Sequence, residues 1–396
     1  MVGAVKVFLA GVAGTALMVA SAQAGGFSRG TADTDILFEE GNFNMRAGAT
    51  VVAPQRGYAT INGVAATDPN YTNTYVVPTA AIKLNLTDYA RCAGTYTEVY
   101  GGSTSFGPQK READRIRIGG VQTSNATAST NLGVDEFGLT CAAGFMVGDL
   151  GIGDGKIWLI GGAFLEQFDY TEVTDFGTLT FNGSYTPGFR AGAAFEIPEI
   201  ALRAQILYRS QVNHRPGGTY TGLVPRALPL GTYTATGAGT TPQSVEAKFQ
   251  TGVAEGTLVF GSVKWTDWSV IDTLDYTIAG VVPSRNEYFW KDGWTVSGGV
   301  GRQFNDWLSG SVSLTWDQGV STTEDLLTDT WTLGTGIQMK AERASLSLGG
   351  AISHLTGGTQ PADPNPFDAN PTGADFAATV GGDWSFAIGG RFAVNW

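Results

Sequence analysis

Lys110, Arg111, Arg115 and Arg117 form the densest group of cations in the chain, inside a long polar stretch over 102–131. Guanidinium and ammonium groups make charge-assisted hydrogen bonds to carboxylates. Such a group could therefore hold the head of an anionic amphiphile, or it could be a solvated loop or one bound to anionic surface sugars. Arg203 and Arg209 lie further on, alternating with Leu202, Ile206 and Tyr208. On a strand that spacing puts both arginines on the face opposite the apolar side chains. Catalytic chemistry has less to work with: His214 and His354 are the two histidines, and Ser353 and His354 fall on opposite faces of any strand. No enzyme activity, metal site or cofactor is expected. The two cysteines, Cys92 and Cys141, are too few for a disulfide scaffold.

The elements that carry these residues are read from hydrophobic periodicity. Phe386, Ile388, Phe392, Val394 and Trp396 alternate with small or polar residues. So do Leu308, Val312, Leu314 and Trp316, the run Ile82, Leu84 and Leu86, and the run Trp331, Leu333, Ile337 and Met339. Period two means strands with one apolar face. Strands of soluble sandwiches are usually about five or six residues long, whereas these run nearer ten to twelve, about the length a tilted strand needs to cross a bilayer. About fourteen such segments are predicted, near 44–54, 77–88, 89–101, 132–147, 156–171, 185–196, 200–214, 243–253, 257–268, 293–303, 307–318, 329–340, 343–356 and 384–396. Short turns alternate with long polar connections over 102–131, 215–242, 269–292 and 357–383, the pattern of an outer-membrane barrel. Cys92 and Cys141 fall on the third and fourth predicted strands, which would be neighbours. A Cys92–Cys141 bridge and two free thiols both remain open.

Composition agrees with this architecture. The chain has 396 residues, a net charge of -12, only 15% charged residues and 56 glycines. An acidic balance argues against sequence-independent binding of nucleic acid, which needs an excess of Lys and Arg. Aromatic content of 11% excludes a disordered chain. Residues 1–24 read as a signal peptide, with Lys6, an uncharged run over 7–22 and the small-x-small end Ala22-Gln23-Ala24. An exported barrel of this kind belongs in the outer membrane of a Gram-negative bacterium, as a multi-pass β-barrel among outer-membrane lipids. Trp265, Trp268, Trp290, Trp294, Trp307, Trp316 and Trp331 are read as aromatic girdles at the membrane interfaces. The terminal Trp396, at the end of an alternating strand, looks like the signal that delivers barrels to their assembly machinery.

Residues 25–45, GGFSRGTADTDILFEEGNFNM, precede the first strand and carry the anchors Phe27, Phe38 and Phe43 and the acids Asp33, Asp35, Glu39 and Glu40. With this segment, and with Tyr89–Glu98, Pro187–Gly192, Leu207–Ser210 and Val263–Ser269, the chain resembles the FadL family of outer-membrane transporters for long-chain fatty acids and other hydrophobic compounds. The resemblance implies an all-β fold: a transmembrane antiparallel barrel of about fourteen strands over 46–396, plugged by an N-terminal hatch over 25–45. Phe27, Asp33, Phe38 and Asn42 would belong to the hatch. Family hatches usually carry Asn-Pro-Ala near their end, where this chain has Gly41-Asn42-Phe43-Asn44. The implied function is passive uptake of hydrophobic molecules such as long-chain fatty acids, through loop capture, an apolar lumen site, a movable hatch and sideways exit. Lys110, Arg111, Arg115, Arg117, Arg203 and Arg209 are the candidate ligand contacts, with pairing to hatch acids such as Asp33 or Glu39 preferred for Arg203 and Arg209. The rival reading is a general porin for small hydrophilic solutes.

Overall fold

The computed structural model describes residues 25–396 apart from 116, 119–120, 123–124, 226–227, 323–324 and 364–373. The leader over 1–24 lies outside the described residues. Fourteen antiparallel strands form the wall: β1 (Phe43–Pro54), β2 (Tyr75–Thr87), β3 (Ala90–Ser105), β4 (Thr127–Asp149), β5 (Asp154–Thr174), β6 (Thr186–Ile197), β7 (Leu202–Arg209), β8 (Ser244–Ala254), β9 (Thr257–Thr266), β10 (Gly293–Gln303), β11 (Leu308–Asp317), β12 (Thr330–Lys340), β13 (Ala344–Leu355) and β14 (Asp383–Asn395). Each pairs with its neighbours in the chain, and β1 pairs with both β2 and β14, so the sheet closes on itself. Backbone bonds between Trp396 and Asn42 and Phe43 finish the seam.

Period-two patterning sorts the two faces as the sequence predicts, with the apolar face turned outward. Leu333 on β12 is 52% exposed while its neighbour Thr332 is 3% exposed. The same inversion runs round the wall, with Leu84, Leu159, Phe189, Leu314 and Ile388 outside and Lys83, Gln205, Ser347 and Ser385 buried inside. In water such a surface would be unstable; in lipid it is the favoured one. Trp265 pairs with Trp294 across β9 and β10, and Trp331 lies between Trp316 and His354, which pairs with Trp384. These residues form one rim of the apolar band. Trp307 and Trp396, both exposed, stand at the opposite end. An antiparallel barrel with this girdled apolar band is the bacterial outer-membrane kind.

The structure departs from the sequence reading in five places. Strands β3, β4 and β5 run longer than predicted, because their polar upper ends continue the wall beyond the apolar band, where alternation of hydrophobicity is lost. The predicted 200–214 strand breaks into β7 and Val212–His214. The long connections carry further strands of their own: Gly177–Asn182, Gly217–Gly222, Gly231–Thr241, Thr273–Ile278 and Val282–Glu287 extend the main sheet outward. A helix, α1 (Pro108–Ala113), interrupts the 102–131 stretch. The segment before the wall ends at Asn42, since β1 starts at Phe43 rather than after 45. Cys92 and Cys141, opposite each other on β3 and β4, are joined by a disulfide.

Candidate functional site

The N-terminal segment sits in the lumen, because it touches strands from all round the ring. Its 3-10 turn, Thr34–Phe38, buries Ile36 and Leu37 against Ala81, Ala93, Ala142, Trp158 and Ile160. Phe38 packs edge-on against Trp158, with Arg91 and Arg203 over its ring. Three acids then fix the segment. Asp33 accepts from Arg46 at 2.9 Å and lies 3.7 Å from Arg391; Glu39 also binds Arg46. Asp35 lies 3.3 Å from Arg203 and 3.0 Å from Lys248. Burial alone would raise the Asp35 carboxyl, but the Lys248 and Arg203 charges override it and hold the group well below the usual carboxylate range. Lys83 donates to the carbonyls of Glu39 and Gly41, and Asn42 bonds its backbone to Trp396. Arg203 thus meets a hatch acid, though Asp35 rather than Asp33 or Glu39.

Above the turn a layer of charge crosses the lumen. Arg190 and Arg209 both bind Glu136, and Arg209 also binds Glu166. Glu166, fully buried, accepts from the Thr241 hydroxyl at 2.7 Å and lies 2.8 Å from His214 Nε2. Removing either partner of such a pair would leave a buried charge, so the layer is held as a unit. Arg209 thus has wall partners, and among the described residues it meets no acid of the N-terminal segment. None of Glu136, Glu166 and Arg190 stood out in the sequence, and His214 stood out only as one of two histidines, because their partners lie tens of residues away on other strands.

Over this layer the lining turns aromatic. Phe27 of the N-terminal segment, Tyr100, Leu132, Val134, Phe168, Tyr170, Trp268, Leu274 and Tyr288 enclose an apolar recess. Phe27 contacts Trp290 at a ring separation of 4.7 Å, and Trp268 meets both Tyr100 and Trp290 edge-on. Trp268 and Trp290 are almost completely buried, the first lining the recess and the second the adjoining cavity, so neither belongs to a girdle. The recess adjoins a cavity of about 620 Å³ that reaches outward past Tyr58, Tyr71, Tyr170, Tyr276 and Phe376. Carboxylates of Asp114, Glu172, Asp325 and Asp375 also line it, against the cations Arg56, Lys110 and Arg285.

Helix α1 divides the predicted cation cluster. Lys110 faces the cavity, where its ammonium lies 4.0 Å from the Phe106 ring and is neutralised by Asp114. Arg111 and Arg115 each hold Asp175 at 2.6 Å, and Arg115 also meets Glu112. Hydrogen bonds from Arg115, then Arg111, pull the Asp175 carboxyl down to about 2. Arg117 stands on the two-residue strand Arg117–Ile118, its side chain outside the described residues. Arg203 and Arg209 lie below the recess and do not line the cavity.

One side of the recess is an irregular piece of wall. Pairing of β2 with β3 stops at Thr79 and Thr97 and resumes at Asn73 and Ser103; between them β3 bulges inward at Val99. The N-terminal segment fills the place that β2 vacates. Arg29 N donates to Val99 O, Gly101 N donates to Phe27 O, and Ser28 bridges Tyr100 antiparallel. The Arg29 and Glu98 side chains, 2.5 Å apart, complete this patch. Gly30 has no alternative there, since a Cβ would meet Thr97 and the Glu98 carbonyl. The letters Gly26-Phe27-Ser28-Arg29-Gly30 match a hydrolase elbow, but Ser28 lies in this strand-like bridge and not in a strand-to-helix turn.

No protein-family model and no curated protein matches the sequence. Solved structures do match. A Pseudomonas aeruginosa FadL homologue aligns with a TM-score of 0.68 at 12% identity, over 91% of each chain. The Ralstonia pickettii toluene transporter TbuX aligns at 0.60 and 12%, over 91% of this chain and 90% of that one. The Pseudomonas putida toluene transporter TodX aligns at 0.59 and 13%, over 98% of both. The closed fourteen-stranded barrel described above, with its N-terminal segment in the lumen, has the fold of these FadL-type channels.

Proposed function

We propose that this barrel is an outer-membrane channel for passive uptake of neutral hydrophobic molecules. The observation that carries the reading is the aromatic recess: it is closed below by the Glu136, Glu166, Arg190 and Arg209 layer and bounded at the side by a hatch residue and the β2–β3 interruption. A hydrophobic molecule gains roughly 25 cal/mol for each Å² of apolar surface it buries, and an aromatic pocket offers that burial. A straight path downward would take it through buried ion pairs. Sideways, it meets Phe27 to Gly30, a short substitute strand in place of a full wall ladder, and beyond that lipid.

The cargo that fits is uncharged. Fatty-acid recognition by Lys110, Arg111 and Arg115 would need cations able to leave Asp114 and Asp175, and the cavity adds acids of its own. The matching solved structures include toluene transporters, which transport a neutral aromatic hydrocarbon. A Ser28→Cys/Tyr100→Cys pair tests the route, since the two residues face each other across the bridge. Cells expressing the oxidised variant are expected to lose most uptake of radiolabelled toluene and to recover it on reduction. Undiminished uptake in the crosslinked form would refute sideways exit. A large ohmic conductance of the wild-type protein in planar bilayers would favour the porin instead.

A further inference from the structure

We propose that the mature chain begins at Gly25 and that its α-ammonium group is held inside the barrel by Asp317. Gly25 is buried, and a methyl group built on it would stand 2.9 Å from Asp317 Oδ1 and 3.5 Å from Oδ2. The carboxylate therefore lies against the Gly25 α-carbon, one bond of about 1.46 Å from the nitrogen. Asp317 ends β11 and is 4% exposed, with Oδ1 also accepting the Thr295 hydroxyl at 3.0 Å. Buried carboxylates are paired with cations as a rule.

Gly25 has a fixed posture. Ser28 N donates to its carbonyl, and Gly26, at φ +60, is wedged where any side chain would strike Trp268 and Trp290. Glycine is needed at both positions for that approach. The sequence immediately before, Ala22-Gln23-Ala24, has the small-x-small form that a signal peptidase reads. Hydrolysis of the Ala24–Gly25 bond places the hydroxyl of water on the Ala24 carbonyl carbon and its hydrogen on the Gly25 nitrogen. The new amine takes up a proton, so one uncharged N–H becomes a cation with three donors beside Asp317. Leader removal then supplies the charge that docks the hatch tip next to Phe27 and Trp290.

The protein purified from membranes of expressing cells is expected to start at Gly25 by intact mass and N-terminal sequencing. Reductive dimethylation across pH, read by peptide mass spectrometry, then reports the amine. An ion-paired amine titrates above its ordinary 7.7–8.0, and in the folded barrel it should react at least tenfold more slowly at pH 7 than in denatured chain. Asp317→Asn should lower the midpoint and bring the rate within twofold of the denatured value, with heat-dependent gel mobility showing that the barrel is folded. Lys264→Met removes a wall cation whose charge reaches Asp317 and should leave the amine protected. Should Asp317→Asn not assemble, Gly25→Ala serves: its methyl strikes the carboxylate, and labelling should rise at least threefold. A first residue other than position 25, a wild-type midpoint below the ordinary range, or protection unaltered in a folded Asp317→Asn or Gly25→Ala variant would overturn the proposal.

Discussion

Replacing Asp35 by Asn tests whether the hatch is held by charge. Asp35 sits 5% exposed and bridges Arg203 on β7 to Lys248 on β8. Breaking a buried ion pair by removing one partner costs about 3–5 kcal/mol, and here two cations lose the same partner. At about 1.4 kcal/mol per decade, the released hatch should become roughly a hundred to several thousand times more populated. Planar-bilayer recording reads this directly, because a displaced hatch opens a water path: Asp35→Asn should show frequent open events where the wild type shows few. Asp33→Asn is the control, since Arg46 keeps Glu39, and its effect should be at least tenfold smaller. The sign with pH follows from the lowered Asp35 carboxyl. Its contribution is complete above the unfolded value of about 3.9 and is lost only as pH falls below that toward the folded value, so wild-type opening should be flat from pH 5 to 8. Equal conductance and equal protease resistance in Asp35→Asn and wild type would refute charge-based docking.

Three further outcomes are expected. Replacing Cys92 and Cys141 together by Ser removes a crosslink spanning 49 residues, for which the chain-entropy relation gives about 4 kcal/mol; the guanidinium midpoint of unfolding should fall, and an unchanged midpoint would show that the wall alone fixes β3 against β4. Because Asp175 titrates near 2 in the folded protein, its tie to α1 should persist above pH 4 and loosen between about 4 and 2, read as protease cleavage in 106–126, while Asp175→Asn should be cleaved there at neutral pH. Deleting Trp396 removes the backbone groups that bind Asn42 and Phe43 and should cut the yield of heat-modifiable barrel several-fold; full yield would show that the seam does not need it.

Much of the wall was legible because its signal is local. Ile82, Leu84 and Leu86 declare their strand through neighbours two positions away, and all fourteen predicted segments overlap wall strands. The lumen is written in long-range pairs. Glu136 and Arg190 stand 54 residues apart in the chain, and each alone reads as one more charge on a polar face. Arg203 and Arg209 were assigned to the lumen by parity, yet parity could not tell that one meets the hatch and the other Glu136 and Glu166. Trp268 and Trp290 have the composition of a girdle and are distinguished only by the outer strands that fold over them. The bulge at Val99 leaves no mark in the sequence, because one extra residue in a strand changes register without changing composition.

The clamp on Asp33 bears on how the cylinder comes to be closed. Arg46 belongs to β1 and Arg391 to β14, the two strands that meet at the seam, and the same hatch carboxylate faces both. Without it the two edges would meet with Arg46 held by Glu39 alone and with no hatch-segment carboxylate shared between the two guanidiniums. A segment made before any strand thus places acids against the edges made first and last, and enclosure of that segment as the barrel closes is the expected order of assembly. Chains lacking residues 25–42 should accordingly stall as open sheets.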